Sequence, residues 1–182
     1  FLRIFWGLCM VYEIYTHITH DWAKTKRYYV EPPWMFHYYG FDWIPRLTLE
    51  QWKVYHYSMF TLAVFFTVGF LYHISALLFT IGFTFLFLQD MGLYLNHYYL
   101  IILLCLVYVP MPANRYFAVD CRIGLARHTP TIPFWCVFLI RTLVSVVYVF
   151  AGIAKMNVDW IMCEPLIRWL PAGRRLPLIG WM

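Results

Sequence analysis

The stretch VVYVFAGIAKMNVDW, residues 146–160, places a single lysine, Lys155, at the end of a strongly apolar run. A charged lysine at the centre of a lipid span costs about 2.5–3.5 kcal/mol, so such residues face a bundle interior or reach for the interface. Arg141, Tyr148 and Lys155 recur every seven residues and share one helical stripe. Two chemistries are open to Lys155. It can snorkel to the headgroup zone as a plain cation. Shielded from water, it can instead act as a free amine that accepts a proton from an acidic organic hydroxyl, such as a phenol or quinol. His97, in YLNHYYL, is the second candidate, either as a packing residue or as one wall of a polar pocket. Asn96 precedes it, and Asp90 lies a turn and a loop earlier. Polar groups converging in an apolar wall characterise small-molecule sites. Glu13, His17 and His20 form the third group, at i, i+4 and i+7 on one helical face. Two histidines and a carboxylate can ligate zinc, but no fourth ligand accompanies them. An interfacial polar stripe is the preferred reading, and no metal is expected.

The elements that must position these residues follow from composition. Of 182 residues, 63% are hydrophobic, 22% aromatic and only 13% charged, against roughly a quarter charged in a soluble domain. This is the composition of a membrane protein. The net charge of +5 resides in short loops between apolar runs, where topology and lipid headgroups account for it, so no nucleic-acid partner is expected. Five apolar runs, at about 1–19, 52–72, 74–89, 94–110 and 133–156, approach the roughly 20 residues of a membrane span. They predict an all-α, polytopic helical bundle of about five transmembrane helices in a single domain, 1–182. Residues 20–51, rich in Trp, Tyr and Pro, read as an aromatic interfacial cap. Arg115 and Asp120 are expected to pair in the loop at 113–120, and a short interfacial helix is expected within 157–182. Cys9, Cys105, Cys121, Cys136 and Cys163 show neither metal-site spacing nor a disulfide framework. With five spans, the cap, the QDMG turn at 89–92, the start of the fourth span and the end of the fifth lie on one side. His97 and Lys155 would then approach the same membrane face. Lys24, Lys26, Arg27 and Arg46 in the cap point to a cytoplasmic cap by the positive-inside rule. The chain opens on Phe1 within an apolar segment and closes on another, so it is expected to be a fragment of a longer protein.

Several motifs occur together and in order: FLRIFWGLCMVYEIY, RYYVEPPWMFHYYGFDW, QDMGLYLNHYYL, MPANRYFAVD and VYVFAGIAKMNVDW. Over nearly the whole chain they resemble the horizontally transferred transmembrane (HTTM) domain, the membrane part of vitamin K-dependent gamma-carboxylase. The resemblance implies an enzyme of the carbon–carbon lyase class. It would couple oxygenation of vitamin K hydroquinone by O₂, giving the epoxide, to carboxylation of peptidyl glutamate with CO₂. Lys155 matches the second lysine of the family's AG-x-KK pattern, the base proposed to deprotonate the quinol, and the first lysine is Ala154 here. The family's NNH matches LNH, which makes Asn96 and His97 quinol-site residues and His97 a catalytic one. Asp90 matches the family's upstream aspartate at the same site. The cofactors implied are vitamin K hydroquinone or a related quinol, O₂ and CO₂. The partners implied are membrane lipid and a glutamate-containing protein substrate. The family's large lumenal domain has no counterpart in these residues. The alternative is a non-catalytic accessory or structural subunit that keeps the fold and associates with other membrane chains. Either way the chain is expected to be an integral membrane protein, of the endoplasmic reticulum if eukaryotic and of the plasma or inner membrane if bacterial.

Overall fold

The computed structural model describes residues 1–19, 22–165 and 167, and every regular element among them is a helix. The all-α expectation holds. In order these are α1 (Leu2–Thr19), α2 (Trp22–Thr25), a π-helical turn (Lys26–Val30), α3 (Leu49–Val68), α4 (Tyr72–Phe87), a 3₁₀ turn (Met91–Leu93), α5 (Asn96–Tyr108), α6 (Val119–Arg122), α7 (Phe134–Ala154) and α8 (Val158–Ile161). The five long helices coincide with the five apolar runs. The short helix expected near the C-terminus appears as α8, whereas His20, Arg168, Arg174 and Arg175 lie outside the described residues. The chain forms two compact units, one from Phe1 to Cys136 and one from Val137 onward.

Five spans do not follow from helix length and composition. Among the described residues only α7, with 21 residues, is long and apolar enough to cross a membrane. The 16 residues of α4 and 13 of α5 reach about 24 and 20 Å at 1.5 Å per residue, short of a ~30 Å hydrocarbon core. Length is not what α1 and α3 lack. Arg3, Glu13 and His17 in α1, and Glu50, Gln51, Lys53 and His56 in α3, make them polar.

Local signals explain the element ends in the first unit. Thr48 and Gln51 form a reciprocal capping box at the start of α3. Gly69, at φ 71°, ends α3 in the left-handed region, which costs glycine nothing because it has no Cβ. Leu71 follows at φ 45°, an uncommon conformation for a residue with a side chain. Asp120, a buried residue, accounts for it. Its Oδ1 accepts the Leu71 N–H at 2.7 Å and its Oδ2 the Tyr72 N–H at 3.0 Å, so the first amides of α4 are satisfied from a distant loop. Asn114 Nδ2 donates to the same Oδ2 at 3.0 Å. This corrects the expected Arg115–Asp120 pair: Asp120 instead takes backbone amides and a neutral side chain, so the hydrogen bonds of the buried carboxylate come from uncharged donors.

Arg3 is buried at the same end. Its guanidinium donates to the carbonyls of Ala113, at 2.7 Å, and Phe117, tying the start of α1 to the loop before α6. The core joins Met10 and Ile14 of α1 to Met59 and Ala63 of α3, Phe79 and Phe83 of α4, and Ile102 and Cys105 of α5. The buried positions of α1, namely Arg3, Gly7, Met10 and Ile14, form the stripe that helical periodicity requires. Gly7 lets α1 approach α3 closely, since a Cβ there would lie 2.8 Å from Thr67 Cα. Small residues at helix contacts bring backbones together where lipid supplies no hydrophobic drive. Replacing Gly7 by alanine is therefore expected to cost about 1–3 kcal/mol through overpacking, read as a lower thermal midpoint in detergent. A variant as stable as the parent would refute this packing.

At the opposite end the cap docks on the turn after α4. Met91 N donates to Phe36 O at 2.8 Å, and Phe36 N donates to Asp90 Oδ1 at 3.1 Å. The cap and the QDMG turn thus share one end of the first unit.

Candidate functional site

The residues that could do chemistry in the first unit meet at that capped end. Helical spacing puts Glu13 and His17 one turn apart on α1, with His17 Nε2 3.6 Å from Glu13 Oε1. Tyr98, in the first turn of α5, completes the group: its hydroxyl donates to Glu13 Oε1 at 2.9 Å and lies 2.9 Å from His17 Nε2. A phenol has one proton to give. With that proton on Glu13, the Tyr98 oxygen accepts from His17, which assigns the Nε2–H tautomer. A carboxylate, a phenol and an imidazole are thus joined by directed hydrogen bonds at the edge of an apolar bundle. His56 stands behind them, its ring stacked on His17 at 5.7 Å and its Nδ1–H donating to Trp52 O at 2.8 Å.

These groups border a cavity of about 290 Å³ lined by Glu13, Thr16, His17, Tyr29 and Tyr98, with Lys24, Thr25 and Tyr28 closing it from the cap side. Burial, reinforced by the nearby charge of Asp90, pushes the Tyr29 phenol up to about 12, so it remains a hydroxyl donor at neutral pH. The lining combines carboxylate, imidazole and hydroxyl groups with flat aromatic faces. That is the donor set suited to orienting a ring that carries polar substituents.

The residues singled out from sequence are distributed as follows. His97 is exposed, and its ring contacts Tyr98 edge-on with centroids 4.9 Å apart. It lies within electrostatic reach of Glu13. Asn96 is the exposed first residue of α5. Asp90 is buried, and its Oδ1 accepts from Gly92 N at 2.8 Å as well as from Phe36 N, so it pins the turn leading into α5 to the cap. Lys155 belongs to the second unit. It is the first residue after α7, its N–H still bonded to Gly152 O at 3.0 Å, and its Nζ lies 5.0 Å from the Trp160 ring centroid. A cation at a helix C-terminus and over an indole face is favourably placed. Asn157 shapes the turn beyond it, capping α8 through Trp160 N at 3.0 Å. Glu13 and His17 come together as predicted, but among the described residues no three His, Cys, Asp or Glu side chains form a metal-binding group. His20 lies outside those residues. Tyr98 was missed, since a tyrosine in an aromatic-rich helix carries no signal of its own.

A sequence model of the HTTM domain matches residues 1–182, the whole chain. The chain belongs to the HTTM family. This makes it a membrane-associated domain related to the membrane part of vitamin K-dependent carboxylase. No solved structure matches the HTTM chain.

Tyr98→Phe in this HTTM domain removes the donor to Glu13 and the acceptor for His17 together. Both partners keep some solvent access, with side chains 29% and 22% exposed, so the expected loss is about 1 kcal/mol, the low end for a hydrogen-bond deletion. Thermal unfolding in detergent reads it, and an unchanged midpoint would show that the triangle contributes nothing to stability.

Proposed function

We propose that this HTTM chain is the membrane part of a vitamin K-dependent gamma-glutamyl carboxylase-like enzyme, crossing the bilayer as a helical bundle of about five spans. One observation carries the reading: the HTTM match runs over residues 1–182, the whole chain. The residues of the capped end fit a reduced ring, because a cavity of about 290 Å³ presents a carboxylate, an imidazole and phenols. Oxygenation of bound vitamin K hydroquinone by O₂ supplies the strong base needed to remove a glutamate gamma proton before CO₂ adds. The family resemblance makes Lys155 the base that takes the proton of a quinol hydroxyl. His97 and Asn96 hydrogen-bond to ring oxygens, and Asp90 keeps their helix start attached to the cap. Apolar helix faces exclude the water that would quench a strong base.

The test is epoxide formation by the purified protein in lipid vesicles supplied with reduced vitamin K, O₂, labelled CO₂ and a glutamate-containing peptide. Oxygen-dependent epoxide is expected, with label entering the peptide. Epoxide no greater than in protein-free vesicles would remove the enzymatic reading and leave the accessory-subunit alternative.

A further inference from the structure

Glu13, His17 and Tyr98 line the cavity that fits a reduced ring, yet no step of the reaction as proposed is assigned to them. Glu13 Oε1 accepts the Tyr98 hydroxyl proton at 2.9 Å, and His17 Nε2, bonded to that same hydroxyl, lies 3.6 Å from Oε1. Among the described residues no hydrogen bond is made to its Oε2. A carboxylate held by one oxygen presents the other as a strong, oriented acceptor. Around it the cavity is lined by Tyr28, Tyr29 and Tyr98, by Thr16 and Thr25, and by Lys24. Aromatic walls favour a flat ring, and the carboxylate demands a donor on that ring.

We propose that this cavity is a hydroxyl-recognition site: it takes a ring-bearing alcohol of the phenol or hydroquinone class, whose O–H donates to Glu13 Oε2 while Tyr98, itself bonded to His17, holds Oε1. The inference rests on the quinol reading above and adds to it a site within the first unit, with Glu13 as the discriminating residue and Tyr98 and His17 as positioning residues. No proton need be transferred there. The carboxylate selects a ring that bears a hydroxyl from one that does not, because an ether in its place gives Oε2 no donor.

Equilibrium binding of two stable probes tests this without turnover. 1-Naphthol carries the hydroxyl, and 1-methoxynaphthalene has the same ring without the donor. Each is titrated calorimetrically into the purified protein in detergent, and its partition into protein-free micelles is subtracted. The wild-type protein is expected to prefer 1-naphthol by about tenfold or more, the value of one hydrogen bond to a charged acceptor. Glu13→Gln, nearly the same shape but uncharged, is expected to lose most of that preference while keeping affinity for the methoxy compound. Equal wild-type affinities, binding of neither probe, or a preference that survives in Glu13→Gln would each overturn the proposal. The first two readouts need no variant. Discrimination between the probes without epoxide formation would keep this site and refute the carboxylase-like function. Epoxide formation without discrimination would do the reverse.

Discussion

Replacing Asp120 by alanine is expected to destabilise the protein by about 3–5 kcal/mol, since each buried polar group left unsatisfied costs roughly 1–3 kcal/mol. One side chain here satisfies the N–H groups of Leu71 and Tyr72 and the amide of Asn114. Alanine strands all three. It also removes what holds Leu71 at φ 45°, so the tight connection between α3 and α4 loses its support. Arg3 sits within electrostatic reach of Asp120 and would remain buried with its compensating charge gone. Asp120→Asn, which retains one acceptor oxygen, is expected to lose about half as much. Circular dichroism during thermal unfolding in detergent checks both variants. At roughly 2–4 °C per kcal/mol for a chain of this size, alanine should lower the midpoint by about 10 °C. A shift of no more than a degree or two would mean that the α3–α4 turn is held by something else.

Lys155→Ala is expected to reduce epoxide formation from reduced vitamin K by about 10²–10⁴-fold, the usual contribution of a positioned acid–base group. The helix itself should survive, because Lys155 lies one residue beyond α7 and its backbone N–H bonds to Gly152 and Ala151 do not involve the side chain. Added small amines are expected to restore part of the rate if deprotonation is what the lysine provides. An arginine in its place keeps the charge and the contact with Trp160 but cannot act as a base near neutral pH, so Lys155→Arg separates the two chemistries considered for this residue. Full activity in the Lys155→Arg variant would assign Lys155 to the interface as a plain cation and remove it from the mechanism.

The helices could be read along the chain because their causes are local. Apolar runs mark five long helices to within a few residues, Thr48 and Gln51 mark the start of α3, and Gly69 marks its end. The motif residues carrying the family resemblance are likewise linear, and the match over 1–182 agrees with them. Spacing along one helix also placed Glu13 beside His17. The third member of that group depended on packing: Tyr98 is 85 residues from Glu13 and 81 from His17, and no periodicity within α1 or α5 indicates that the two helices meet at those turns. Asp120 shows the same limit. Proximity in the chain pointed to Arg115, whereas the fold carries the carboxylate to the amides of residues 71 and 72, which lie 49 and 48 positions away. Hydrophobicity and capping act over a few residues, so they can be recognised in order along a chain. Which buried polar group satisfies which depends on how helices dock, and docking is settled by side-chain shape across contacts such as Gly7 against Thr67, where the partners are distant in sequence.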